Sequence, residues 1–122
     1  MAILPLANRA YGGISAEARR AVRRERLIAA GLELFGTRGY HRTTVRDLCA
    51  AARLTERYFY ESFDGREGLI VAVFEKVAAE VAEAIVSAVA SAPRDARALA
   101  RAAIGAAIVY VTDDPRRARV LL

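Results

Sequence analysis

The alternation of apolar and polar positions divides the chain into helices separated by short breaks. From residue 16 to about residue 35, apolar side chains recur every three or four positions, as on one face of an α-helix. Ser15 is a suitable N-cap for this helix, and we predict that Gly36 and Gly39 end it. Residues 1–15 have no such period, so we expect a flexible N-terminal arm there.

Two short amphipathic helices are predicted next. Thr44 begins the first, with Asp47 three residues later as in a capping box, and Thr55 caps the second, which ends near Phe63. The dipeptide Arg53-Leu54 forms the turn between them. Two short helices with a turn of about three residues form the helix-turn-helix pattern, whose second helix enters the major groove of DNA. The three-helix core that this predicts consists of Leu27, Ile28, Leu34, Phe35, Val45, Leu48, Phe59 and Phe63.

A long fourth helix is predicted over residues 65–90, with Asp64 as its cap and Glu67 as the capping partner. We expect one face of this helix to be buried along its whole length. The apolar residues that we place on that face are Val71, Phe74, Ala78, Val81, Ile85 and Val89.

Two further helices follow. The first covers residues 94–111, and its segment 102–111 is apolar on nearly all sides, which predicts burial between other helices. The second begins after Asp114, with Pro115 in the first helical position, where proline is favoured. No strand pattern accompanies these helices, so the predicted fold class is all-α.

The positive charge is confined to one half of the chain. The net charge of the 122 residues is +5, and residues 1–66 hold 12 Arg against seven acidic residues, whereas residues 67–122 are neutral. This asymmetry favours a nucleic-acid-binding unit joined to a unit of another kind. We therefore divide the chain into an arm (1–15), a helix-turn-helix DNA-binding domain (16–66) and an incomplete helical regulatory domain (67–122).

The chemistry of the chain argues against other classes of protein. With one cysteine, Cys49, and one histidine, His41, neither a disulfide framework nor a Cys/His metal site can form, and neither residue has a plausible catalytic partner. We expect no enzyme activity, no metal and no cofactor. The longest uncharged run is far shorter than the ~20 residues that span a bilayer, and the N-terminus is unlike a secretory signal, so we expect a cytoplasmic location.

The stretch from residue 24 to residue 74 resembles the N-terminal domain of TetR-family transcriptional regulators. The matching motifs are LELF followed by RGY, TTVRDLCAAA, FYESF at the end of the third helix and REGL at the start of the fourth. The resemblance implies a homodimer that binds operator DNA, a double-stranded palindrome, through its first three helices. It also implies that the later helices bind a small-molecule effector that releases the DNA, so that the protein acts as a repressor.

The resemblance also implies the roles of particular residues. Residues expected to contact phosphates are Thr44, Tyr60 and Arg66, the last in place of the family's usual lysine. Residues expected at or near base edges are Arg46, Thr55, Glu56, Arg57 and Tyr58. Arginine is the commonest bidentate reader of guanine, and glutamate accepts a hydrogen bond from cytosine.

Three residues depart from the family's pattern. Arg53 occupies a turn position where glycine is usual because φ is positive, and Arg57 stands where a small residue is frequent. Glu61 follows Tyr60, and an acid beside phosphates weakens DNA binding unless it turns away or pairs with an arginine. Two alternatives remain open: a constitutive DNA-binding protein without an effector, and a helical protein-interaction module.

Overall fold

A computed structural model describes residues 15–122, and these residues form six α-helices and no strand. The helices are α1 (Ala16–Thr37), α2 (Val45–Ala52), α3 (Glu56–Ser62), α4 (Arg66–Ala90), α5 (Ala96–Asp113) and α6 (Pro115–Leu121). The all-α fold class is confirmed. The predicted arm, apart from Ser15, lies outside the described residues.

Side chains cap three helices as the sequence predicts. The hydroxyl of Ser15 accepts a hydrogen bond from the Ala18 N–H at the start of α1. At the start of α2, Thr44 and Asp47 form a reciprocal capping box. At the start of α6, the Asp114 carboxylate accepts from the Arg116 N–H, and proline occupies the first helical position. These caps depend only on neighbouring residues, so the sequence suffices to predict them.

Of the other two predicted caps, Thr55 is at the predicted position without a side-chain hydrogen bond, and Asp64 is wrong. Thr55 precedes α3 with extended backbone, but its side chain makes no capping hydrogen bond. The N-cap of α4 is Gly65 rather than Asp64, and no side chain caps this helix either. The first N–H groups of α4 are therefore left for other acceptors, because an α-helix does not bond them internally.

Gly36 does not end α1, contrary to the prediction. The helix continues to Thr37, and the chain leaves it through Gly39, whose φ is +94°. Gly36 is buried where α6 crosses α1, and a Cβ built on it would lie 2.5 Å from the Cβ and 2.9 Å from the Cα of Arg116. The residue is glycine because the two helices approach too closely for a side chain.

The core lies where α1, α2, α3 and the first half of α4 meet. Of the eight core residues predicted, six are buried, and Leu34 and Val45 are half-buried against the same cluster. The fully buried large side chains of the described residues are Leu27, Leu48, Phe59, Leu69, Val73 and Val77, together with Thr43. The helix-turn-helix and the start of α4 thus share one core, which holds the outer face of α3 in place.

The buried face of α4 differs from the predicted one at the start of the helix, whereas the other predicted residues are half-buried: Ala78, Val81, Ile85 and Val89. Val71 is 55% exposed and Phe74 is 44% exposed, whereas Leu69, Val73 and Val77 are buried. The segment is apolar on every side, so its pattern does not fix which face turns inward. Contact with α1 decides it: Leu69 and Val73 lie against Gly31, where a Cβ would be 2.7 Å from the Val73 side chain.

The predicted burial of the second half of α5 is also wrong for the part of the chain that the structure describes. No residue of α5 is buried, and Ile104, Ile108 and Val109 are between 55% and 66% exposed. The helix packs against α4 and α6 on one face only. Within residues 15–122, no helix is both long and apolar enough to cross a membrane.

Candidate nucleic-acid interface

The turn between α2 and α3 contains the positive φ that the family resemblance implies, so the turn is not altered by Arg53. Arg53 has φ 59° and ψ 47°, in the left-handed region that normally favours glycine. The N–H of Leu54 donates to the Cys49 carbonyl at 2.9 Å, which closes the turn. In addition, Nη2 of Arg26 donates to the carbonyls of Ala52 and Arg53, at 2.6 and 3.3 Å. The Arg26 guanidinium thus fixes the turn from α1, a contribution that the sequence analysis missed.

The outer surface of α3 carries the side chains that the sequence places at base edges and phosphates. Glu56, Arg57 and Tyr60 are exposed, and Tyr58 is half-buried. Phe59 between them is fully buried against the core and stacks edge-on with the Tyr60 ring. A buried anchor thus holds a short helix with its polar face outward, as the second helix of a helix-turn-helix requires.

Two more predicted site residues lie at the start of α2. Thr44 and Arg46 are both exposed. The Thr44 hydroxyl accepts a hydrogen bond from the Asp47 N–H at 3.0 Å within the capping box. Hydrogen bonds from the Thr44 backbone and hydroxyl, aided by Arg38, hold the pKa of the Asp47 carboxyl below its usual value. Asp47 therefore stays ionised and keeps the capping box closed at neutral pH.

Arg66 already has partners within the chain. Its Nη1 donates to the carbonyls of Tyr40 and Thr43 at 2.7 and 2.8 Å, and its guanidinium lies 4.5 Å from the centroid of the Tyr40 ring. These contacts connect the start of α4 to the loop before α2. Only the remaining N–H groups of Arg66 are left to meet a phosphate.

A surface depression of about 620 Å³ lies beside Arg66, at the uncapped start of α4. It is lined by Tyr40, Ser62, Phe63, Asp64, Gly65, Arg66, Glu67 and Gly68. The free N–H groups of the helix N-terminus and the Arg66 guanidinium favour an anion, whereas the Asp64 and Glu67 carboxylates in the same lining oppose one. The depression extends the polar surface of α3 on the side of α4.

Glu61 pairs with arginines of α1. An acid beside phosphates is compatible with DNA binding if it turns away or pairs with an arginine, and the second condition holds here. The Glu61 carboxylate lies 3.4 Å from Nε of Arg20 and 3.4 Å from Nη2 of Arg23. Arg23 also places its guanidinium 4.2 Å from the centroid of the Tyr58 ring. The pairing joins residues about forty positions apart, so no local pattern could predict it.

Cys49 and His41 show no arrangement for catalysis. Cys49 is buried in the core, and this burial raises the pKa of its thiol, with a further contribution from the charge of Glu56. His41 is exposed, with its ring edge against Tyr40. The described residues contain no group of three His, Cys, Asp or Glu side chains placed to hold a metal ion.

Comparison with known proteins shows which family this helix-turn-helix resembles. Residues 27–73 match the model of the tetR family of bacterial regulatory proteins, whereas no curated protein matches the chain. A crystal structure from Shewanella sp. PV-4, assigned to the tetR family of transcription regulators, superimposes with a TM-score of 0.73 at 24% identity. The match covers 80% of this chain and 51% of the other, so the chain spans about half the length of that relative. Residues 27–73, which contain the helix-turn-helix, are therefore similar to the tetR family of bacterial regulatory proteins.

Proposed function

We propose that this chain is the DNA-binding domain and part of the regulatory domain of a ligand-responsive repressor that binds a palindromic operator as a homodimer. The observation that carries the proposal is α3, anchored by Phe59 and presenting Glu56, Arg57 and Tyr60 outward, within a tetR-family domain. A short helix with this polar face fits the major groove. A regulator of this kind acts on chromosomal DNA, so we place it in the cytoplasm.

The predicted site residues divide into two groups under this proposal. Thr44, Tyr60 and Arg66 contact phosphates and set the position of the domain, so their effect is the same for every sequence. The residues that lie at or near base edges are Arg46, Thr55, Glu56, Arg57 and Tyr58. Glu56 and Arg57 offer an acceptor and a bidentate donor, which are the groups that distinguish cytosine and guanine.

The regulatory helices contact the DNA-binding domain through α6 as well as through the start of α4. Nη1 of Arg116 lies 2.6 Å from the Glu33 carboxylate on α1, and Nη1 of Arg119 donates to the Thr37 carbonyl at 2.9 Å. Gly36 lets the two helices meet without a side chain between them. We propose that an effector bound among the later helices moves α6, and α1 with it. This shifts the population of DNA-binding geometries.

An open groove between α4 and α5 is a candidate part of the effector site. Its wall is made largely of small residues, with Tyr110 and Arg117 at one end. Tyr110 donates a hydrogen bond to the Glu80 carboxylate, and its ring stacks 3.9 Å from the Arg117 guanidinium. A surface that is apolar along its length and polar at one end suits a small organic molecule.

Exposed apolar side chains on α4 and α5 support an assembly larger than residues 15–122. Val86, Ile104 and Val109 are each more than 60% exposed. Apolar surface of this kind marks contacts with other protein. We propose that further regulatory helices and the second subunit cover it, which favours the effector-responsive dimer over a constitutive DNA-binding protein.

The proposal is tested by the salt dependence of binding to duplex DNA, followed by selection of preferred sites from a random duplex pool. A helix-turn-helix protein loses affinity with a log–log slope of about −0.9 per phosphate contact, and the selected sites form an inverted repeat. Binding without salt dependence or sequence preference would instead favour a protein-interaction module. A palindrome bound without any response to candidate effectors would favour the constitutive alternative.

A further inference from the structure

Glu61, an acidic residue near the C-terminal end of α3, connects that helix to α1. Its carboxylate lies within 3.4–3.5 Å of nitrogens of both Arg20 and Arg23. The Arg23 side chain is only 20% exposed and Glu61 is 29% exposed, so this contact is screened less than an ordinary surface pair. One carboxylate thus holds two guanidiniums of α1 against α3.

Arg23 links this ion pair to a residue at the proposed DNA surface. Its guanidinium lies 4.2 Å from the centroid of the Tyr58 ring, a cation–π geometry, while Glu61 binds the same guanidinium. The guanidinium of Arg57 lies 5.7 Å from that ring. The half-buried Tyr58 side chain therefore contacts a guanidinium whose place is fixed by Glu61.

The hydrogen bonding of Arg23 indicates that Glu61 and the Tyr58 ring determine the position of its guanidinium. Its Nε–H is buried and has no hydrogen-bond acceptor among the described residues. A buried donor without an acceptor is unfavourable, so the guanidinium is not placed there to satisfy all of its own donors. Glu61 and the Tyr58 ring are the groups that hold it.

We propose that Glu61 and Arg23 are positioning residues that fix the Tyr58 side chain for sequence discrimination. The inference rests on the proposed function and deepens it, because it assigns a purpose to an acid beside the DNA surface. Removal of that acid has two opposite effects on binding. It lowers the repulsion from phosphates, which strengthens binding to any duplex, and it frees Arg23, which weakens discrimination between duplexes.

The test has a first arm without DNA. In the 122-residue chain, the Arg23 Nε–H proton is expected to exchange slowly and to resonate upfield, because it is buried near an aromatic ring. Glu61→Ala and Tyr58→Ala are each expected to abolish this signature while circular dichroism shows an unchanged helix content. Persistence of the shifted proton in Glu61→Ala would show that Glu61 does not hold Arg23.

The second arm measures the ratio of affinities for the best duplex selected from a random pool and for its single-base variants. Glu61→Gln and Arg23→Lys are expected to reduce this ratio by about tenfold at one base pair, within the range of a single base contact. In a Tyr58→Ala background, Glu61→Gln is expected to have no further effect on the ratio. The matched control is Glu17→Gln, which removes one acidic charge from α1 and is expected to leave the ratio unchanged.

The outcomes separate the two proposals. If the unmodified chain shows no preference among duplexes, the proposed function and this inference both fail. If it shows a preference that Glu61→Gln and Arg23→Lys leave intact, only the positioning role is overturned. An equal loss of the affinity ratio on Glu61→Gln in the unmodified chain and in the Tyr58→Ala background would also overturn the positioning role. The effects of two substitutions that act through one side chain are not additive.

Discussion

Substitution of Gly36 by alanine tests the close contact between α1 and α6. A Cβ at this position would lie 2.5 Å from the Arg116 Cβ and 2.9 Å from its Cα. Carbon atoms in contact prefer about 3.5–4.0 Å, so α6 has to move by roughly 1 Å or more. Because one of the atoms belongs to the backbone, a change of side-chain rotamer cannot relieve the overlap.

The magnitude follows from two opposing effects. Replacing glycine by alanine inside a helix stabilises it by up to about 1 kcal/mol. Overpacking a close contact costs about 1–3 kcal/mol. The matched control is Gly105→Ala in α5, where a Cβ would meet no atom within 4 Å and only the stabilising effect operates. The helix stabilisation is common to both variants, so we expect them to differ by the overpacking cost, about 1–3 kcal/mol in the free energy of unfolding.

Thermal unfolding followed by circular dichroism measures this difference. For a chain of this size, about 4 °C in Tm corresponds to 1 kcal/mol, so Gly105→Ala is expected to melt about 4–12 °C above Gly36→Ala. Hydrogen exchange should show that the loss begins in α6, because its backbone has to move. An increase of Tm in Gly36→Ala equal to that in Gly105→Ala would refute the close contact.

Four further predictions concern single residues. Arg57→Ala is expected to weaken binding to the selected operator by about 1–3 kcal/mol and to relax one base position, as measured by binding to single-base variants. Burial and the hydrogen bond to Glu80 raise the pKa of Tyr110 to about 12, so its ultraviolet titration is expected well above the value of 10.0 for a free tyrosine, and a midpoint near 10 would contradict the contact. Hydrogen bonds from Arg116 lower the pKa of Asp114 from 3.8 to about 2, so its stabilisation of α6 is complete above about pH 4 and is lost as the pH falls towards 2, as amide exchange in α6 can show. Cys49 is buried and the pKa of its thiol is raised, so a thiol reagent is expected to label it only after unfolding, and rapid labelling of the folded chain would contradict its burial.

Local features of the fold could be predicted from the sequence. The caps formed by Ser15, Thr44 and Asp114 depend on residues within three positions, and the positive φ at Arg53 follows from its place in the turn. The helix-turn-helix and its core follow from the spacing of apolar residues. The outward position of Tyr60 follows because Phe59 next to it is buried.

Features that depend on distant contacts could not be predicted. The sequence pattern does not fix the buried face at the start of α4, because the first turns are apolar on all sides and the contact of Val73 with Gly31 decides the orientation. The sequence around Gly36 predicts a helix stop, whereas this glycine allows the close contact of α1 with α6. The pairing of Glu61 with Arg23 and the use of Arg26 to bind the turn both join α1 to residues 26–38 positions away.

The central claim is that α2, α3 and the start of α4 bind DNA. Its most direct test is an NMR titration of the isotope-labelled chain with its selected DNA duplex. The claim predicts that the largest shifts fall on the amides of the α2–α3 unit and the start of α4, which include Thr44, Arg57 and Tyr60, and that α5 is unaffected at the same ratio. Shifts centred on the exposed apolar residues of α5, with α3 unchanged, would contradict it.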